Sequence, residues 1–195
     1  SGMSSWSELD AAVSILRGHV NLTIMQCTSA YPCPPQLVGL NIIEEIRQRY
    51  GSNISIGFSD HTSGIGAGPA AAAFGATVIE KHLTFSRAMY GSDALNALEP
   101  NDFRTYSQSI RDVWTMLSHP VDKNDTSCYI DMKRTFEKSI VTGRLIRKGE
   151  LISFADLSFK KPGDGIPASQ YKTLIGRQAK HDLLPNQQIT LDDFE

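Results

Sequence analysis

The sequence predicts an α/β fold: helices covering a parallel sheet, followed by a smaller unit of short strands. Three observations predict it. Three runs rich in Ile and Val, within residues 20–28, 54–59 and 77–83, alternate with helical patterns. Strands that are apolar on both faces and separated by helices belong to a covered parallel sheet. No GxGxxG follows any of these runs, which favours (β/α) barrel units over a dinucleotide-binding sheet. Past His119 the pattern gives way to a polar connector and then to short alternating segments around tight turns.

Taken in order, "SSWSELDAAVSILRG" reads as a helix. Ser5 or Ser7 can cap it, Glu8 and Asp10 suit its positive end, and Leu9, Val13 and Leu16 share a face. "VNLTIMQCT" is the first strand. "SAYPCPPQ" has three prolines in four positions and is a loop. "LVGLNIIEEIRQRYG" is an amphipathic helix ended by Gly51. "ISIGFS" is the second strand. "GIGAGPAAAAFG" suits a short helix lying close to the sheet and stopped by Gly75. "TVIEKHL" is the third strand, and "PNDFRTYSQSIRDVWTML" a long helix with Asn101 as its cap. Residues 1–118 thus form the first unit and 119–137 a linker. Residues 138–195 form the second unit, with "KSIVTGRLIRKGELIS" expected as short strands around the "RKGE" turn, then a short helix and a turn at "LPNQQ".

Bulk composition is that of an ordinary globular protein, with 41% hydrophobic and 21% charged residues. A net charge of −2 gives no electrostatic reason to expect nucleic acid or an anionic membrane as partner. No apolar run approaches the ~20 residues of a membrane span, and the opening residues lack a signal-peptide pattern. The three cysteines, Cys27, Cys33 and Cys128, form no CxxC pair and read as free thiols in a reducing cytoplasm.

Two of the strands end alike. Ser59-Asp60-His61 closes the second, and Glu80-Lys81-His82 closes the third. Ligands of parallel α/β proteins sit outside the carboxyl ends of the strands. Residues two apart on a strand share a face, so Ser59 points with His61 and Glu80 with His82. A 21-residue step makes the strands adjacent, and the two imidazoles converge on one mouth. With oxygen groups beside them they suit a divalent metal that keeps open positions for substrate.

At this point "QCTSAYPCPP", "IGFSDHT", "IEKHLT" and "MYGSDALNALEP" resemble the sialic acid synthase family, and "FKKPGDGIP" with "LIGR" resembles its C-terminal antifreeze-like (SAF) domain. The resemblance runs in order over nearly the whole chain. It implies the C-terminal part of a (β/α)8 TIM barrel followed by a small, mostly β SAF domain. It implies an enzyme that condenses phosphoenolpyruvate with an N-acetylated hexosamine, such as N-acetylmannosamine, to a nine-carbon sialic acid and phosphate. It further implies that His61 and His82 bind a divalent metal, manganese first and magnesium or cobalt as alternatives. Ser59 matches a phosphate-contacting serine, Glu80 a carboxylate beside the metal, and Tyr31 and Asp93 residues that touch the amino sugar.

Two positions depart from the family pattern. Lys161 stands where the family has an arginine that reaches across a domain-swapped homodimer to the sugar's N-acyl group; lysine keeps the charge and loses the forked geometry. Ser29 replaces an asparagine that contacts phosphoenolpyruvate. The family barrel has eight strands and only three are read here, so the expectation is an incomplete enzyme lacking the first half of the barrel. The opening "SGM" resembles the end of the fifth strand. A non-catalytic binding or assembly module built on the SAF domain is the alternative, and the motifs do not separate a synthase for legionaminic or pseudaminic acid from one for sialic acid.

Overall fold

The computed structural model describes residues 1–51 and 53–195. The chain divides into two compact units, Ser1–Pro120 and Val121–Glu195.

In the N-terminal unit, helix α1 (Trp6–Leu16) opens with a capping box in which Ser5 and Glu8 satisfy each other's backbone N–H. Strand β1 (Thr23–Cys27) follows. Helix α2 spans Asn41–Tyr50 and ends at Gly51, whose φ is +80°. It is shorter than the amphipathic pattern from Leu37 suggests. Gly39, at φ +68°, turns the chain between a 3-10 turn at Pro35–Leu37 and the helix. Strand β2 (Ser55–Asp60), helix α3 (Ala67–Ala73) and strand β3 (Val78–Lys81) come next. Helix α4 (Pro100–Ser118) is capped at Glu99, not at Asn101. Pro100 takes the first helical position, where its missing N–H costs nothing.

The three strands form one parallel sheet in the order β1-β2-β3. Its register pairs Cys27 with Ser59, Ser59 with Glu80, and Asp60 with Lys81. One face carries Ile24, Ile56 and Phe58 into a core with Ile43 and Ile46 of α2. Each of those two isoleucines is fully buried and contributes about 1.5–3 kcal/mol. A second core joins Ala72, Leu98, Tyr106 and Ile110. The Trp114 indole N–H donates to the Ala76 carbonyl at 3.0 Å, tying α4 to the turn before β3. Along the outer edge of β1, the Ser1 nitrogen donates to the Met25 carbonyl at 2.7 Å, and the Ser1 hydroxyl accepts from the Cys27 N–H at 3.2 Å.

In the C-terminal unit, a 3-10 turn (Ser127–Tyr129) and helix α5 (Ile130–Phe136) occupy the stretch expected to be a connector. Strand β4 (Ser139–Thr142) pairs antiparallel with β5 (Leu157–Lys160). Of the short strands expected around the "RKGE" turn, Ser139–Thr142 forms, and the residues that flank the turn itself make isolated bridges. Ile146 bridges Leu183 and Leu151 bridges Gln178. Gly143 N–H donates to the Asp156 carbonyl at 2.7 Å and Arg144 Nε to the Asp156 carboxylate at 2.7 Å, which ties the end of β4 to the start of β5. Burial alone would raise the Asp156 carboxyl, but hydrogen bonds from Ser153 and Arg144 outweigh it and hold the group below its ordinary value. The core is Ile140, Ile146, Ile152, Leu174, Leu183, Ile189 and Phe194. A 3-10 helix stands at Ala168–Thr173, and Asn186 in the "LPNQQ" turn has φ +63°. No described helix is long and apolar enough to cross a membrane.

Gly68 of α3 lies directly under the Tyr106 ring, and a Cβ there would overlap ring carbons and the hydroxyl. Tyr106 is 2% exposed and cannot swing away. Gly68→Ala is therefore expected to destabilise the N-terminal unit by about 1–3 kcal/mol, the usual cost of overpacking. Urea melts of the variant and wild type check this, and equal midpoints would contradict the packing described.

Candidate functional site at the strand ends

Alternation sorts the ends of β1, β2 and β3 into two faces. On one, Cys27, Ser59 and Glu80 stand in register. The Ser59 hydroxyl donates to Glu80 Oε1 at 2.7 Å, which orients the hydroxyl and occupies one carboxylate oxygen. His61 and His82 rise one step beyond. Their rings stack with centroids 5.4 Å apart and planes 27° from parallel. His61 Nε2 is 3.4 Å from the Ser59 hydroxyl. The Tyr31 ring lies 4.2 Å from that of His61 and 6.3 Å from that of His82. Ser59, Glu80, His61, His82 and Tyr31 therefore come together from three successive strand ends.

The His61 ring has a defined polarity. Its Nδ1 lies 2.9 Å from the Thr28 carbonyl oxygen, an acceptor only. Nδ1 thus carries the proton in the neutral ring, and Nε2 presents its lone pair to the mouth. The Cys27 sulfur is also near Nδ1, at 3.9 Å. A backbone carbonyl behind a histidine is the usual outer support of a metal-binding imidazole.

Partial burial, with the charges of Cys27, Asp93 and Glu80 behind it, pushes the Tyr31 phenol above its ordinary pKa. Asp93 itself is exposed, and its backbone carbonyl accepts the N–H groups of Asn96 and Ala97 at 3.0 Å each. Its carboxylate acts on the cluster through its field on Tyr31. Ser29 is exposed, and its hydroxyl faces Gly2. Lys161 belongs to the C-terminal unit, where its ammonium sits 4.8 Å over the Phe136 ring.

Among the described residues, no group of three or more His, Cys, Asp and Glu side chains is arranged to hold a metal. The donors present are two imidazoles with Glu80 behind Ser59. By chemistry they suit a borderline divalent ion that keeps several open positions. Imidazole lone pairs lie in the ring plane, so an ion shared by both rings requires the two planes to meet at it.

The opposite face carries groups that the pattern of the strand ends does not single out. Lys81 Nζ and Asp60 Oδ1 pair at 3.2 Å, with side chains 1% and 0% exposed. Tyr106 donates to Asp60 Oδ2 at 2.9 Å. Burial pushes the Lys81 ammonium below its ordinary pKa, against the pull of Asp60. The signal for this pair was the same period-2 alternation, applied to the residues between the functional ones.

Comparison with known proteins places both units. The NeuB family matches residues 1–122, and the SAF domain matches residues 137–195. An uncharacterized protein of Methanocaldococcus jannaschii is 36% identical over 195 residues, covering 99% of this chain and 57% of the relative. The N,N'-diacetyllegionaminic acid synthase of Campylobacter jejuni is 32% identical over 182 residues, covering 91% and 54%. Among solved structures, the N-acetylneuraminic acid (sialic acid) synthetase of Leptospira borgpetersenii superposes with a TM-score of 0.59 at 28% identity, covering 68% of this chain and 46% of that one. The chain spans about half the length of the curated relatives it matches.

The ring polarity of His61 is directly measurable. In the metal-free protein at pH 9, 15N spectra are expected to show a protonated Nδ1 and a lone pair on Nε2. The opposite tautomer would remove the Thr28 hydrogen bond and the inward lone pair with it.

Proposed function

Since the chain belongs to the NeuB family, whose match covers more than half of it, we propose that it is the C-terminal part of a synthase that condenses phosphoenolpyruvate with an N-acetylated amino sugar. The observation that carries this reading is the convergence of His61, His82, Ser59, Glu80 and Tyr31 at one mouth of a parallel sheet. The curated relatives that carry functional names include synthases of legionaminic, pseudaminic and neuraminic-type acids, so the sugar is assigned here as a class.

In this reading the three strands are part of a (β/α)8 barrel. His61 and His82 would hold the divalent ion, manganese first. Bound there, the ion supplies Lewis acidity toward the sugar carbonyl.

The chain's own residues do the rest. Ser59 offers its hydroxyl to the phosphate of phosphoenolpyruvate by turning it from Glu80, which accepts it in the free site. Tyr31, half exposed beside both imidazoles, and Asp93 line the approach of the amino sugar, with Ser29 at the phosphoenolpyruvate end. Lys161 extends from the SAF domain of a second copy toward the sugar's N-acyl group, as a domain-swapped homodimer requires. Phe136 under its ammonium favours an aimed side chain over a freely solvated one.

The test is activity of the full-length enzyme toward a panel of 2-acetamido sugars with phosphoenolpyruvate, read as phosphate release and product mass. His61→Ala or His82→Ala is expected to lower metal-dependent turnover by about 100-fold or more, beyond what loss of an outer support causes. Normal turnover and normal metal dependence in both variants would refute the assignment. Lys161→Ala is expected to raise the sugar's Michaelis constant about 10- to 150-fold, the value of a lost charged hydrogen bond of roughly 1.5–3 kcal/mol, and to leave that of phosphoenolpyruvate unchanged. Equal effects on both substrates would return Lys161 to the surface.

A further inference from the structure

We propose that Asp60 and Lys81 are positioning residues: together they hold Thr62, and through it the His61 backbone, at a fixed offset from His82. The proposal rests on the reading of the two histidines as the centre of the site.

The need for such a device follows from where the ladder stops. The last paired rung of β2 and β3 is Asp60 opposite Lys81. His61 and His82 are the next residues, so neither is held in register by strand pairing with the other. Their carbonyls bond elsewhere, His61 to Cys33 N–H and His82 to Leu98 N–H, each at 2.9 Å. Those partners belong to two different loops and do not link the histidines to each other.

The link runs through the opposite face. Asp60 Oδ1 accepts both the Thr62 N–H, at 2.8 Å, and the Thr62 hydroxyl, at 2.7 Å. Lys81 Nζ donates to the Thr62 carbonyl. The peptide groups on both sides of Thr62 are therefore held, one by the residue before His61 and the other by the residue before His82. Tyr106 completes the clamp from α4 by donating to the second Asp60 oxygen and lying 5.9 Å from the Lys81 ammonium. Arg87 adds a third tie, with its guanidinium donating to the Ser63 carbonyl at 3.0 Å. An ion pair this deeply buried is weak evidence for stability, because a well-fitting uncharged pair is often as good. Its geometry here serves a different end, the separation of two side chains on the far face.

The double variant Asp60→Asn with Lys81→Met separates the two roles. It removes both charges together, keeps an acceptor for the Thr62 N–H, and releases the Thr62 carbonyl. Its melting temperature is expected within about 4 °C of wild type. In the metal-free 195-residue chain, the nuclear Overhauser contact between the His61 and His82 rings is expected in wild type and lost in the double variant. An unchanged ring contact in a folded double variant would overturn the proposal. A second measurement needs no variant. The Thr62 amide lies outside any strand, yet it is expected to exchange with solvent about 100-fold or more slowly than the Gly64 amide of the same loop. Equal exchange would overturn the clamp even if the double variant did not fold. Mn2+ titration of the wild-type chain separately tests the metal reading: unbroadened ring signals would count against the ion while the ring contact still decides the clamp.

Discussion

One rung of a parallel ladder, Asp60 opposite Lys81, divides the N-terminal unit into two chemistries. Above it the strand ends are polar, with Ser59 and His61 buried and Glu80 exposed. Below it, toward α4, the same residues form a buried ion pair closed by Tyr106. Side chains alternate along a strand, so a functional residue on one face obliges its neighbours to face the core. A charge sent into the core must be paired and hydrogen-bonded, because desolvating it alone costs several kcal/mol. Carboxylate and ammonium answer each other here, and the remaining oxygen positions are taken by Thr62 and Tyr106. Gly68 is part of the same solution, since only its missing side chain lets Tyr106 come down to Asp60.

Much of this was legible in the residues. The three strands, the capping box at Ser5 and the helix stops at Gly51 and Gly75 follow from local periodicity and turn chemistry. So does the shared face of Ser59 with His61 and of Glu80 with His82, because period 2 is exact in a strand. What escaped were relations that no local pattern carries. The tie from Tyr106 to Asp60 spans 46 residues and depends on how α4 lies against α3. The stacking of His61 on His82 depends on side-chain torsions beyond the last rung. The Asn101 cap failed because Asn and Pro100 compete for one helix start, and the proline's fixed φ won.

The second unit shows the limit more sharply. Its short alternating segments predict strands, but not which strand meets which. Residues flanking the "RKGE" turn resemble a hairpin, yet each bonds to a segment more than 25 residues away. Among the described residues, five isolated bridges and one short ladder leave much of the fold to be set by a core of Ile, Leu and Phe and by side-chain bonds to the backbone. Thr142 illustrates this. It is fully buried, its hydroxyl donates to the Leu184 carbonyl, and it accepts from the Gln187 N–H at 2.9 Å. Its backbone bonds the same turn, donating to the Gln187 carbonyl at 3.0 Å and accepting from the Asn186 N–H at 2.9 Å, ties that the sequence pattern cannot assign.

The stacked imidazoles bear on how such a mouth would work. Each ring offers its lone pair in its own plane, and the planes lie 27° apart with centroids 5.4 Å apart. The Tyr31 ring packs beside both. Sharing one cation needs the lone pairs to converge on a point. His61 is the more constrained of the two, because its Nδ1 is bonded to Thr28 and Thr62 behind it is clamped. His82 is the freer of the two, since its ring makes no hydrogen bond to another described residue. One imidazole is thus fixed with a set polarity and the other is held more loosely beside it. The fixed member owes its place to the rung of opposite charge on the far side of the sheet.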